Sequence, residues 1–172
     1  MVIQNVKSTD LLVGLNSIVP RRPTHHFLLG DIDRGVDETF PDFKKRVIEA
    51  CKIVLFEEED FDTVFVIKSS DRGMHFISFD KELSLPKYVY LLDRLHCDEK
   101  FIEWVVKVKY GVLRVSRRSK HNQVPEVIAV LRRKDSKLKN RHLTGYYFSI
   151  LGFEKDINKI KRVRVIDYDK KR

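Results

Sequence analysis

Residues 27–33 read Phe-Leu-Leu-Gly-Asp-Ile-Asp, an apolar run that ends in two carboxylates. Side chains alternate along a strand, so Asp31 and Asp33 share one face while Ile32 points to the other, into a core. Two carboxylates on one side of a strand end repel each other unless a cation lies between them. Hard oxygen ligands of this kind suit Mg²⁺ or Mn²⁺ carrying phosphate. An Asp-x-Asp pair is also common where one Asp caps a turn and the other is solvated, so its meaning depends on its companions.

Three further stretches could complete such a site. Ser69-Ser70-Asp71-Arg72-Gly73-Met74-His75 brings together hydroxyls, a guanidinium and turn amides, the donors that triphosphate oxygens require. Gly73 lets the backbone approach a ligand closely, and His75 can donate to a phosphate, although an isolated histidine at a strand edge is more often structural. Cys97-Asp98 lies between two apolar helical stretches, where Asp98 either caps the next helix or adds a third carboxylate. In Tyr110–Lys120, alternation puts Arg114 and Ser116 on one face and Leu113 and Val115 on the other. Arg117, Arg118 and Lys120 then form a basic exit loop, which a solvated edge strand would explain equally well.

Charge is divided along the chain. Residues 1–104 carry 14 Lys/Arg against 19 Asp/Glu, a net −5, whereas residues 105–172 carry 20 against 6, a net +14. One part can supply metal-binding carboxylates and the other a surface for polyanions, which binds through counterion release. Arg132, Arg133 and Lys134 join Arg117, Arg118 and Lys120 as candidate nucleic-acid contacts. The two cysteines, Cys51 and Cys97, are isolated, which suits a reduced cytoplasmic protein and argues against a cysteine zinc cluster. No apolar run approaches the length of a membrane span, and the N-terminus lacks a signal-peptide layout, so no membrane partner is expected.

The elements that must position these residues follow from periodicity. At 172 residues the chain is expected to form one domain. Residues 1–24, punctuated by Pro20 and Pro23, read as an N-terminal arm packed on the core. A strand is expected over 26–33, and an amphipathic helix over 40–56 capped by Thr39. Strands over 63–68 and 74–79 form a hairpin, and helices follow over 86–94 and 99–107. Strands are expected over 111–116, 127–132, 145–151 and 162–167. The class is therefore α+β, with a mostly antiparallel sheet and helices on one face.

In this order the pieces resemble the catalytic core of the archaeo-eukaryotic primase superfamily, the DNA primase small subunit and the primase-polymerases. That family has an apolar strand ending in an Asp-x-Asp type pair, a Ser-x-x-Arg-Gly-x-His type turn, and an apolar-Asp element. They correspond here to Phe27–Asp33, Ser69–His75 and Cys97-Asp98, and the resemblance spans about residues 25–120, leaving 121–172 as basic strands and tail. It implies an RRM-like catalytic core with flanking helices and a two-metal site of Mg²⁺ or Mn²⁺ on Asp31, Asp33 and Asp98. It further implies nucleotide binding by Ser70, Arg72 and His75, with Arg114 and Ser116 beside them. Nucleoside triphosphates, a single-stranded DNA template and an accessory primase subunit or helicase are the implied partners. The cysteine/histidine zinc element of many members is missing, so no zinc is expected and the core is minimal.

Two other readings use the same residues: a non-catalytic nucleic-acid-binding replication protein of primase-like fold, and a metal-dependent nuclease. A purely basic binder has no use for a carboxylate cluster that repels phosphate. A rolling-circle initiator wants two histidines flanking an apolar residue, which the adjacent His25-His26 does not supply.

Overall fold

A computed structural model describes residues 2–5, 11–114, 125–134 and 164–168. The strand that carries the two carboxylates, β4 (Arg22–Asp33), lies inside a six-stranded sheet of order β3-β4-β6-β5-β8-β9. The other members are β3 (Ile18–Val19), β5 (Thr63–Lys68), β6 (Gly73–Ser84), β8 (Glu126–Arg133) and β9 (Arg164–Tyr168). All neighbours run antiparallel except β8 and β9, which are parallel. A second, three-stranded antiparallel sheet is formed by β1 (Val2–Asn5), β2 (Leu11–Asn16) and β7 (Val112–Arg114). The protein is thus α+β with mostly antiparallel sheets.

Residues 1–24 correct the sequence reading, since most of them enter sheets rather than forming an arm. Residues 11–16 form β2, which pairs with both β1 and β7. Pro20 occupies the turn from β3 to β4, and Pro23 sits near the exposed start of β4, where a missing N–H costs no ladder bond.

The helices cover one face of the large sheet. Helix α1 (Phe40–Ala50) starts at Thr39, whose hydroxyl accepts from the Asp42 amide, and buries Phe43, Val47 and Ile48. The helix expected over 40–56 does not stay α-helical. From Cys51 to Glu58 it widens into a π-helix, which buries the consecutive run Val54, Leu55 and Phe56 together with Cys51. Its C-terminal end is closed by Arg133, whose guanidinium donates to the carbonyls of Phe56 (2.6 Å) and Phe61 (2.9 Å) and pairs with Asp60. Helices α2 (Leu85–Arg94) and α3 (Glu99–Val108) begin at the caps Ser84 and Asp98.

Alternate strand residues divide between two apolar clusters. Leu28, Ile32, Val64, Val66, Met74, Phe76, Ala129 and Leu131 meet the helices. Leu29, Phe65, Ile67, Ile77 and Leu113 form a second cluster on the opposite face, under the small sheet. Gly30 is required by the first cluster: a Cβ there would fall 1.9 Å from Cζ of Phe76, its cross-strand partner. A buried polar join ties the small sheet to the rest. The Tyr88 hydroxyl donates to the Leu29 carbonyl (2.7 Å), its ring stacks on His26, and Ser17 links His26 to the Gly111 amide.

The packing at Gly30 makes a prediction. Gly30→Ala must displace the fully buried Phe76 ring, so urea denaturation should show a loss of about 1–3 kcal/mol. Combining it with Phe76→Leu, which clears the space, should lose less than the two single losses added together.

Candidate active site

The β4–β6 register builds the site. Asp31 lies opposite His75 and Asp33 opposite Gly73, and the same pairing sends Ile32 and Met74 into the helix-side core. Asp31, Asp33 and His75 therefore share the face away from the helices. Arg46 holds the end of β4 in place by donating to the Asp33 carbonyl (3.1 Å) while bound to Glu38 through two hydrogen bonds.

Asp98 reaches this strand end from the α2–α3 connection. Its backbone N–H donates to the Asp31 carbonyl (2.8 Å), and its Oδ2 caps α3 by accepting from the Phe101 amide (2.9 Å). The two alternatives open in the sequence are thus combined in one residue: Asp98 is a helix cap whose charge also bears on the pair. Burial, then the charges of Asp33 and Asp98, push the Asp31 carboxyl up to about 7, against an opposing pull from Arg114. The Asp33 carboxyl is also raised, by burial and by Asp98, and partly drawn back by Arg72 and Lys100.

Asp31 Oδ1 is buried and accepts no hydrogen bond from the described residues. His75 Nε2 lies 3.6 Å from it, too far for a hydrogen bond. Burial and the Arg114 charge hold His75 down at about 3, so its imidazole is neutral and the contact is no ion pair. An orphaned carboxylate oxygen beside two further carboxylates fits a divalent cation, which would supply the missing partner and relieve the repulsion. Asp31 and Asp33 would hold it, with Asp98 as the third donor. Among the described residues, however, no three His, Cys, Asp or Glu side chains are gathered into a ready-made ion site. Asp98 would have to give up its cap, or act through the charge it already exerts.

The hairpin turn departs from expectation in one respect. Its amides are engaged within the turn: Ser69 and Ser70 N–H both donate to the Gly73 carbonyl, and Arg72 N–H donates to Ser70 Oγ. A tight hairpin satisfies its own amides, so the donors left for an anion are side chains, namely the serine hydroxyls, Arg72 and His75. The missing Cβ of Gly73 lets the Ser69 and Ser70 hydroxyls lie close over its Cα. A Cβ would lie 2.9 Å from Ser69 Oγ, 3.3 Å from Ser70 Oγ and 3.7 Å from Asp33 Oδ1.

Arg114 arrives from the small sheet and donates to the Ser69 carbonyl (3.0 Å), with its charge facing Asp31 and His75. The sequence names Ser69 as the start of the turn motif but gives no sign of Lys100. Ser69 is the buried half of a Ser-Ser pair, and the influence of Lys100 on Asp33 comes from packing between distant segments, for which the chain gives no local signal. Of the candidate nucleic-acid contacts, Arg132 is half-buried and Lys134 exposed at the end of β8, while the Arg133 guanidinium closes the π-helix. Ser116, Arg117, Arg118, Lys120 and the strand expected over 145–151 lie outside the described residues.

No protein-family model, curated protein or solved structure matches this chain. Among the described residues, no helix is long and apolar enough to cross a membrane.

The Asp31 carboxyl makes stability depend on pH. A carboxyl held above its unfolded pKa binds its proton more tightly when folded. Its contribution is therefore complete below pH about 4 and is lost as pH rises through about 7. Asp31→Asn removes that loss. In EDTA, the variant should gain stability relative to wild type between pH 4 and pH 8. Because the side chain is still 32% exposed, the expected plateau is about 2 kcal/mol rather than the full value of the shift. Denaturation curves across that range check it, and a gain independent of pH would refute the assignment.

Proposed function

We propose that this protein is a metal-dependent nucleotidyltransferase of the primase-polymerase kind, acting on a single-stranded DNA template in the cytoplasm. The observation that carries the reading is the buried Oδ1 of Asp31, without a hydrogen-bond partner among the described residues, beside Asp33 and Asp98. A phosphate-compatible turn and a neutral histidine lie on the same sheet face. Divalent ions, when bound, would lower the barrier to attack of a 3′-hydroxyl on the nucleotide α-phosphorus and stabilise the departing pyrophosphate.

The remaining roles belong to the chain's own groups. Arg72, exposed beside Asp33, offers charge to the β- and γ-phosphates, and the Ser69 and Ser70 hydroxyls beside Gly73 offer hydrogen bonds to their oxygens. His75, held neutral, donates one N–H without adding charge. Arg114 fixes the turn through Ser69 and balances the carboxylates. In-line displacement forms the bond from O3′ to the α-phosphorus and breaks that to the β-phosphate oxygen, so positioning and charge suffice without a protein nucleophile. Template contacts are assigned to Arg117, Arg118, Lys120, Arg132 and Lys134, with an accessory subunit or helicase as partner.

Purified protein given labelled nucleotides and a single-stranded template should make labelled polymer with Mg²⁺ or Mn²⁺. Asp31→Asn and Asp33→Asn should each lower product on the order of 100-fold or more. His75→Ala should act more mildly, mainly through KM. Polymer that persists in both Asp variants would sink the metal assignment, and template degradation without extension would favour the nuclease.

A further inference from the structure

Helix α3 begins at Asp98 and leads away from the carboxylates, and one of its exposed margins has a distinct composition. At 100° per residue, Lys100 and Lys107 share one azimuth and Trp104 stands beside it, on the flank leading toward the buried Val105. Glu103 lies on the other side of the lysines from Trp104, one turn before Lys107, with Glu99 farther round. The two lysines are about 10 Å apart along the axis, with Trp104 between them. Trp104 is 45% exposed. Its indole makes no hydrogen bond or ring contact, and neither lysine is ion-paired, among the described residues. Nearly half of the Trp104 surface is thus open to solvent beside the two cations.

The head of this margin lies beside the site along the chain: Lys100 follows by two residues the cap Asp98, whose backbone N–H donates to the Asp31 carbonyl. The stripe is therefore continuous with the carboxylate end of the sheet. Cations flanking an aromatic face suit a chain that alternates phosphates with flat bases, because each base can stack while the phosphates meet the ammonium groups. A duplex offers no free base face to a lone indole.

We propose that Lys100, Trp104 and Lys107 form a contact for single-stranded nucleic acid, with a base stacked on Trp104 and phosphates on the two lysines. The inference rests on the reading of the protein as one that acts on nucleic acid, and it adds a path for the strand next to the site.

Trp104 is the only tryptophan in the chain, so its emission reports on this contact alone. Titration with a labelled oligothymidylate in EDTA, where no turnover can occur, gives affinity from anisotropy and stacking from tryptophan quenching. Wild type should bind with quenching, and Trp104→Ala should bind about tenfold more weakly while retaining its circular dichroism spectrum. Trp104→Phe should recover much of the loss. Lys100→Gln and Lys107→Gln should each reduce the salt slope by up to about one. Oligonucleotide binding with unchanged emission and unchanged affinity in Trp104→Ala would overturn the stripe and leave the nucleic-acid reading standing. No binding even at low salt would overturn both.

Discussion

The antiparallel pairing of β4 with β6 is the constraint on which the site depends. Both strands have one face committed to the helix-side core, through Leu28 and Ile32 on one and Met74 and Phe76 on the other. A slip of one residue would turn those apolar groups outward and bury the carboxylates, so burial fixes the register. Once it is fixed, His75 must face Asp31 and the bare backbone of Gly73 must face Asp33. The close fit of Phe76 over Gly30, on the helix-side face, pins the same register.

That arrangement is electrostatically costly. Three carboxylates approach one another at a strand end, and one of their oxygens is buried without a hydrogen-bond donor among the described residues. The fold answers with Arg114 from the small sheet and with Arg72 and Lys100 at the rim, but it leaves Asp31 well above the ordinary carboxylate range. Acids held in repulsion by a rigid scaffold are characteristic of sites that take a cation or a proton in use. The neutral His75 fits beside them because a second positive charge there would be desolvated and set against Arg114.

Three separate segments converge on β4 to make this possible. The α2–α3 connection is tied to it by the bond from the Asp98 amide to the Asp31 carbonyl, the hairpin by its ladder, and the small sheet reaches it through the hairpin, by the bond from Arg114 to the Ser69 carbonyl. The join of Tyr88, His26 and Ser17 then holds the small sheet against β4. The residues near 1–24 thus help to frame the site, although in the sequence they read only as an arm.

The sequence by itself determined the strand with its two carboxylates, the hairpin, helices α1 to α3 and the α+β class, because periodicity and caps such as Thr39 and Asp98 are local signals. The widening of the helix at Cys51 was not legible, since π-winding has no pattern of its own and here depends on Arg133 from a distant strand. The same distance effect turned Arg133 away from the surface and brought Lys100 to Asp33. Only the tertiary structure decided which strand lies beside which, that the turn amides are satisfied internally, and that Asp31 Oδ1 is left without a donor. Those outcomes come from long-range packing and from the low dielectric it creates, and neither is a property of any short stretch of chain.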